Sequence, residues 1–199
     1  MGIGNRKELR LAERLRNGEN GAMREFYTLY ARYLTAVCSR YIADDENVKD
    51  VLQNALIRIF THIADFEYRG EGSLRAWAAK ITINRSLNFL KSAKRHELMH
   101  LSDCDMIDDE AEANEPPFCN IPPEEIHRMV RELPTGYRTV LNLYVFEDKS
   151  HQEIAKLLGI SANTSATQFY KAKKVLAKKI EEYNNRHNTR NHEETIRKT

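Results

Sequence analysis

The segment Ser150–Ser161 has the residue spacing of a helix-turn-helix that binds DNA. Ala155 stands where two helices would cross, at a place where a larger side chain would hold them apart. Gly159, four residues later, can adopt the positive φ that a sharp turn requires. Ser150 and Ser161 can each cap a helix and leave backbone N–H groups facing a phosphate. The spacing therefore predicts two helices joined by a tight turn.

The helix after Ser161 is predicted to have a buried face and a DNA-reading face. The buried face repeats at helical spacing and consists of Ser165, Phe169, Ala172 and Leu176. On the other face, amides can pair with adenine, threonine can pack on a thymine methyl, and lysines can neutralise phosphates. We expect base contacts from Asn163, Thr167 and Gln168, with Tyr170, Lys171 and Lys174 beside them. The alternative is that the asparagine supports the cap and the lysines are solvated.

Charge divides the 199-residue chain into two basic parts with an acidic segment between them. Residues 1–96 contain 17 basic residues (Lys and Arg) and 11 acidic residues (Asp and Glu). Residues 97–121 contain 8 acidic residues and no basic one, and residues 122–199 contain 14 basic and 10 acidic residues. Two basic lobes suggest that each binds a polyanion. We predict domains at 1–96 and 122–183, an acidic linker at 97–121, and a disordered polar tail at 184–199.

The predicted fold class is all-α: two small helical domains joined by a flexible acidic linker, the second containing the helix-turn-helix. Apolar residues recur at helical spacing on both sides of the linker, and no strand-like alternation competes with them. Helices are expected to begin at Ser73 and at Pro123. No run approaches the roughly 20 apolar residues that cross a bilayer, and residues 1–6 lack the apolar stretch of a secretory signal. We therefore expect a soluble, cytoplasmic protein without membrane insertion.

The cysteines and histidines predict neither a disulfide framework nor a metal site. Three cysteines are an odd number and contain no close pair. His96, His100, Cys104 and Cys119 are irregularly spaced and lack a Cys-x-x-Cys anchor for zinc. We therefore expect free thiols, no metal and no cofactor.

Two sets of residues, in the right order, resemble the extracytoplasmic-function group of RNA polymerase sigma factors. In the second lobe these are Leu133-Pro134, Arg138, the segment Ser150–Ser161, Thr164 and Lys171-Ala172-Lys173. In the first lobe, Asp50–Phe60 resembles the family's polymerase-binding helix. The run Gly72–Trp77, with Asn84-Arg85 and Leu90-Lys91, resembles its promoter-melting segment. One departure is Ser165, where the family usually carries a β-branched apolar residue.

The resemblance implies a non-enzymatic protein that binds core RNA polymerase and directs it to promoter DNA. Asp50, Gln53 and Asn54 would face the clamp helices of the largest subunit, and the flap of the second-largest subunit would be a further contact. Contacts to the melted minus-ten element would be Arg69, Ser73, Arg75, Asn84, Arg85, Asn88, Lys91, Lys94 and Arg95. Contacts to the minus-thirty-five element would add Arg138, Ser150, Ser161 and Thr164 to the face described above. A membrane-anchored anti-sigma factor is the expected regulator.

Some of these residues also have simpler interpretations. The loop Phe66–Ser73 corresponds to the segment that captures a flipped base in the family, whereas Trp77, four residues before Ile81, is expected to be a core residue. The acidic linker would either thread the basic cleft of the polymerase or act as a solvated tether.

Two rival functions remain open at this point. An ordinary regulator, with a sensing or dimerising first lobe, would bind duplex operators without polymerase. An adaptor would bind only proteins, which the basic lobes disfavour. No nucleophile with a base, phosphate-binding loop or folded carboxylate pair supports an enzyme.

Overall fold

The computed structural model describes the backbone of residues 3–97 and 121–197, and the side chains of residues 7–92 and 121–186. Within these ranges the chain forms eight α-helices and one 3-10 helix, and no strand, which confirms the all-α prediction. The chain divides into two compact units, Met1–Ser102 and Asp103–Thr199. The linker at 97–121 lies outside the described residues apart from Glu97 and Ile121.

The N-terminal unit is a bundle of four helices with a 3-10 turn. Its elements are α1 (Ile3–Arg16), α2 (Asn20–Ser39), α3 (Asp45–Thr61), the 3-10 helix Ile63–Asp65 and α4 (Ser73–Glu97). The core between α2, α3 and α4 buries large side chains completely, and the ring of Phe26 meets that of Phe60 edge-on at 5.5 Å. Leu29, which shares the apolar spacing of α2, is 57% exposed, so this spacing overestimates the buried face.

The C-terminal unit consists of α5 (Pro123–Arg131), α6 (Thr135–Val145), α7 (His151–Leu158) and α8 (Ala162–Arg197). Pro123 stands in the first turn of α5, as predicted, and Pro134 precedes α6. The core cluster joins α5, α6 and α8 through Val130, Leu133, Leu141 and Ala172. The core of the second unit therefore depends on α8.

The last helix, α8, extends past residue 184, where the tail was predicted to begin. The backbone of α8 stays helical to Arg197, beyond the predicted boundary at residue 184. The turns of α8 before residue 184 are held by tertiary contacts. Ile180 is fully buried, and Lys179 Nζ lies 2.6 Å from Glu132 Oε2 on the loop after α5. Each further residue then needs only elongation, which costs far less than starting a helix.

Candidate nucleic-acid interface

The helix-turn-helix forms as the spacing predicts. Gly159 ends α7 at φ 71°, in the left-handed region, and its N–H donates to the Ala155 carbonyl at 2.9 Å. The Ser161 hydroxyl accepts the Thr164 N–H at 2.9 Å and so caps α8. The turn is thus fixed by its own backbone and by the Ser161 cap.

Ser150 caps α7 in a reciprocal arrangement with Glu153. The Ser150 hydroxyl accepts the Glu153 N–H at 3.3 Å, and the Glu153 carboxylate accepts the Ser150 N–H at 2.9 Å. Hydrogen bonds from the backbone and hydroxyl of Ser150, and then from Lys149, lower the pKa of Glu153 from 4.5 to about 2. The carboxylate is therefore part of the cap at neutral pH.

This cap predicts an acid-dependent loss of stability. Because the folded pKa is depressed, the stabilisation by Glu153 is complete above about pH 4.5 and is lost as the pH falls towards 2. Wild type should therefore be more stable than Glu153→Gln at neutral pH, and the difference in free energy of unfolding should shrink through this window. Urea unfolding followed by circular dichroism at several pH values measures it. Glu181→Gln, which makes the same change at an exposed acid outside the cap, is the control.

The outer face of α8 exposes fewer of the predicted readers than expected. Asn163, Tyr170 and Lys174 are exposed, and Thr164, Gln168 and Lys171 are half-buried. Thr167 is buried at 8% exposure, so it does not reach a groove. The reason is that α8 packs against both α6 and α7. The buried face of α8 is therefore wider than the single row of residues that the spacing predicted. Of the three residues predicted to contact bases, Asn163 is exposed, Gln168 is half-buried and Thr167 is buried.

Arg138 is a structural residue and not an exposed DNA contact. Its side chain is 4% exposed, and Nη1 donates to the carbonyls of Arg131 at 2.6 Å and Leu133 at 2.9 Å, just where α5 ends. Burial lowers the pKa of Arg138, with the charge of Arg131 as a smaller cause. The guanidinium satisfies carbonyls that the helix leaves without partners, which the sequence could not distinguish from a phosphate contact.

Ser165 has a polar partner that explains its place in the buried face. The residue is fully buried, and its Oγ lies 3.0 Å from Nδ1 of His151 on α7. The ring of His151 stacks on Tyr144 with a centroid distance of 4.7 Å. The hydrogen bond between Ser165 and His151 thus joins α7 and α8 at a position where an apolar contact was expected.

A cavity of about 340 Å³ opens between α3 and α4 of the N-terminal unit. Its lining combines one indole with amide, guanidinium and carboxylate groups, from Arg58, His62, Asp65, Trp77, Ile81, Asn84, Arg85 and Asn88. Nδ1 of His62 lies 3.0 Å from Oδ2 of Asp65, and the Trp77 ring contacts the Phe66 ring at 5.5 Å. A flat aromatic surface surrounded by hydrogen-bonding groups suits a nucleobase.

Trp77 differs from its predicted core position. It is only half-buried and lines the cavity, whereas Leu74 and Ala78 beside it face the core. Trp77 and Ile81 do share one face of α4, as their spacing predicts, but both side chains line the cavity. The sequence identified the right face of α4 and could not show that a cavity lies against it.

The start of α4 is capped by a residue that the sequence did not indicate. The Ser73 hydroxyl donates to the Gly70 carbonyl at 2.7 Å instead of capping the helix. The carboxylate of Glu8, on α1, accepts the N–H groups of Gly72 at 2.8 Å and Arg75 at 3.4 Å. No local signal could reveal this, since the partners are more than sixty residues apart in the chain.

Comparison with known proteins adds two family matches. The profile described as Sigma-70 region 2 matches residues 26–96, which include the cavity. The profile described as Sigma-70, region 4 matches residues 123–176, which include the helix-turn-helix. Two solved structures are also similar. The sigma factor RpoE of Bartonella quintana, solved with the anti-sigma factor NepR, has 14% identity and a TM-score of 0.46, and the match covers 79% of this chain and 96% of that one. CnrH, solved with the cytosolic domain of CnrY, has 21% identity and a TM-score of 0.41, with coverages of 84% and 92%.

Curated relatives span nearly the same length. RNA polymerase sigma-H factor of Pseudomonas aeruginosa is 24% identical over 195 residues, covering 88% of this chain and 94% of the relative. The ECF sigma factor SigW of Bacillus subtilis is 21% identical, with coverages of 84% and 94%. The ECF sigma factor SigM of Mycobacterium tuberculosis is 23% identical, with coverages of 89% and 88%. The chain belongs to the extracytoplasmic-function group of sigma-70 factors.

As a sigma factor, the protein binds RNA polymerase, recognises the minus-thirty-five and minus-ten promoter elements and promotes transcription initiation. Its family works without catalysing a reaction. Within the described residues, no helix is both long and apolar enough to span a membrane. His96, His100, Cys104 and Cys119, considered above for zinc, have side chains outside the described ranges. Cys38 is a buried free thiol whose pKa is raised by burial.

Four of the predicted minus-ten residues of this sigma factor lie on one polar face of α4. Asn84, Asn88 and Lys91 are exposed at spacings of four and three residues, and Arg85 is half-buried beside them. Arg75 lies over the Tyr33 ring at 5.2 Å, and Arg69 pairs with Glu67 at 2.9 Å. The side chains of Lys94 and Arg95 lie outside the described range.

The predicted polymerase-binding residues of the sigma factor share an exposed face of α3. Asp50, Gln53 and Asn54 are exposed, and the Asn54 amide donates to the Asp50 carbonyl at 3.0 Å. Ile57, at 55% exposure, continues the same face one turn later and was not predicted. Its signal in the sequence is an apolar residue out of phase with the buried spacing of Val51, Ala55 and Ile59.

Proposed function

We propose that this sigma factor opens promoters by taking one unstacked base of the minus-ten element into the cavity between α3 and α4. The observation that carries the proposal is the lining itself, in which Trp77 offers a stacking surface and Asn84 and Asn88 offer hydrogen bonds. Extruding a base costs a few kcal/mol, which a fitted pocket can offset. The cavity would thus hold the strand after it separates from its complement.

The polar face of α4 supports this proposal by providing a path for the neighbouring nucleotides. Asn84, Asn88 and Lys91 follow one another along the exposed side of the helix, so the strand would run along it with phosphates near the basic residues. Arg69, Ser73 and Arg75 would contact the strand at the start of α4, and Lys94 and Arg95 further along.

The test is a scan with 2-aminopurine, which fluoresces when it is unstacked. The probe is placed in turn at each position of the non-template minus-ten strand, and the holoenzyme is added. We expect a large increase at one position and small increases at its neighbours. Equal increases at every position would mean that the strand separates without a base pocket.

In the C-terminal unit, we propose that α8 reads the minus-thirty-five element from the major groove. Asn163 would read a base edge, while Tyr170, Lys171 and Lys174 would contact the backbone, with Thr164 and Gln168 at the edge of the contact. The helix N-termini capped by Ser150 and Ser161 would each face a phosphate. The exposure of Asn163 at the first turn of α8 supports this arrangement, since such helices contact bases with their N-terminal residues.

We further propose that the α3 face formed by Asp50, Gln53, Asn54 and Ile57 docks on the clamp helices of the polymerase's largest subunit. A carboxylate and two amides can pair with exposed arginines, and an exposed apolar side chain adds buried area at the centre of a contact. The flap of the second-largest subunit would dock on the C-terminal unit, where Tyr144, Val145 and Phe146 expose apolar surface.

This docking face predicts a specific loss of polymerase affinity. Asp50→Ala should weaken binding to core RNA polymerase by about tenfold, because its partner arginine is left without a counter-charge in the interface. Binding is measured by fluorescence anisotropy of labelled sigma factor titrated with core enzyme. Glu13→Ala, which removes an exposed acid on α1, should bind like wild type. Equal affinity of Asp50→Ala and wild type would place the docking face elsewhere.

The remaining features of the proposed function concern regulation and location. We propose that the protein acts in the cytoplasm, without catalytic activity of its own, and is held inactive by an anti-sigma factor anchored in the membrane. Such a partner would compete with the polymerase for the same exposed faces, which gives a direct reason for inhibition.

A further inference from the structure

Glu8 is a buried carboxylate at the start of the helix that carries the proposed minus-ten site. Its side chain is 9% exposed. It accepts the Gly72 N–H at 2.8 Å, the Arg75 N–H at 3.4 Å and the Tyr30 hydroxyl at 3.1 Å. A carboxylate at a helix N-terminus satisfies unpaired N–H groups and interacts favourably with the helix dipole.

Arg16, on the same helix α1, binds the other end of the connecting segment. Its Nε donates to the Ile63 carbonyl at 3.5 Å, and its Nη2 donates to the Phe66 carbonyl. Glu8 and Arg16 are eight residues apart, or about 12 Å along a helix. Helix α1 therefore holds segment 63–75 at both ends. The Arg16 guanidinium binds carbonyl groups at one end, and the Glu8 carboxylate binds N–H groups at the other. We call these two sets of contacts the two grips.

Residues 67–72, between these two grips, belong to no helix or strand. Gly70 and Gly72 have φ values of 123° and 83°. Glycine has no Cβ, so its backbone can adopt many other conformations as well. Among the described side chains, Ser73 bridges Gly70 and Arg69 within it. The polar contacts from α1 therefore limit the conformations that the glycines would otherwise allow.

The two grips also adjoin the cavity. Asp65 lies between the carbonyls that Arg16 binds, and Trp77 follows two residues after the N–H of Arg75 that Glu8 binds. The Phe66 and Trp77 rings contact each other, which joins the two ends across the segment. A change at either grip would therefore move residues that line the cavity.

We propose that Glu8 and Arg16 are positioning residues for promoter opening: together they hold segment 63–75, and through it Asp65 and Trp77, in the geometry that receives an unstacked base. This inference rests on the proposed role of the cavity. The two side chains themselves need not touch DNA. Their effect reaches the strand through the backbone that they hold.

The contact between Glu8 and Tyr30 connects this grip to the core of the unit. Burial, followed by the charge of Glu8, raises the pKa of Tyr30 to about 12. The phenol therefore remains a hydrogen-bond donor at neutral pH and holds the carboxylate towards α4. Apolar residues Leu11, Ala12 and Leu15 already bury α1 against the bundle, so the polar grips are not needed merely to attach the helix.

The first experiment measures the segment in the free protein. Hydrogen exchange of peptides that cover residues 70–76 is compared between wild type, Glu8→Gln and Glu13→Gln. Glu8→Gln should exchange about tenfold faster in this segment alone, because a charge-assisted hydrogen bond is lost. The same charge change at exposed Glu13 should leave exchange unaltered. Arg16→Ala should loosen residues 62–67, with Arg10→Ala as its control.

The second experiment measures promoter opening by the holoenzyme. Glu8→Gln should slow open-complex formation by about tenfold and reduce the preference for a consensus minus-ten base, while core binding and minus-thirty-five binding stay at wild-type values. Glu8→Asp should recover part of the loss by restoring the charge.

The possible results distinguish a positioning role of Glu8 and Arg16 from the proposed base-binding role of the cavity. Faster exchange in residues 70–76 together with slower opening supports the positioning role. Wild-type exchange in Glu8→Gln overturns it, as does faster exchange with unchanged opening and base preference. Exchange that rises throughout the unit, with loss of core binding, would show that Glu8 only stabilises the fold. If wild type shows no unstacked base in the fluorescence scan, the proposed cavity function fails, whereas the exchange result still decides whether α1 holds the segment.

Discussion

Replacing Trp77 by leucine should lower the rate of promoter opening by tenfold or more. The substitution keeps an apolar side chain against Phe66 but removes the flat ring on which a base would stack, an interaction worth about 1 to 3 kcal/mol per base. Opening is measured by stopped-flow fluorescence of the holoenzyme on a promoter that carries a probe in the minus-ten strand.

Trp77→Phe is the matched control, since it retains an aromatic ring at the same position and should open the promoter within a few-fold of wild type. Core binding and the melting temperature of each variant show whether it still folds. Wild-type opening by a folded Trp77→Leu would remove the indole from the site. Loss of core binding in parallel would show that the side chain acts on the fold instead.

The second large effect is expected at Asn163, the reader that α8 leaves exposed. Asn163→Ala should weaken the preference for the consensus minus-thirty-five element by about 1 to 3 kcal/mol, because a bidentate base contact is lost. Transcription from the consensus promoter and from promoters with single-base changes measures the preference. We expect the loss at one base position and little change at the others.

Asn184→Ala provides the matched control, because it makes the same change on the same helix far from the turn. Its promoter preference should equal that of wild type. A uniform loss of binding across all sequences by Asn163→Ala would assign the side chain to a phosphate contact. An unchanged preference would leave the reading to other residues of α8.

The fold was largely predictable because its signals are local. Helical spacing, the prolines before α5 and α6, and the Gly159 turn are each decided within a few residues. The exceptions arise where tertiary packing dominates. Leu29 is exposed despite its apolar type, and α8 continues beyond residue 184 because its earlier turns are packed.

The candidate site was less predictable because its geometry depends on residues distant in the sequence. Arg138 and Thr167 have the right chemistry for DNA, yet both are buried. Arg138 binds the carbonyls at the end of α5, and Thr167 lies on α8, which packs against α6 and α7. Trp77 has the spacing of a core residue but lines a cavity that α3 helps to form. Glu8 gives no signal of its own, since the N–H groups that it caps belong to α4. In each case the decisive contact is long-range.

Transcription in vitro with purified core RNA polymerase tests directly whether the protein selects promoters. Core enzyme alone starts without promoter specificity, so any defined start site must come from the added protein. Run-off assays on a library of upstream DNA fragments identify the promoters that it selects. We predict RNA with a single start site downstream of two conserved elements, formed about tenfold more slowly with Trp77→Leu. A complete absence of start-site-specific RNA with cognate core polymerase would mean that the protein does not direct the polymerase to promoters.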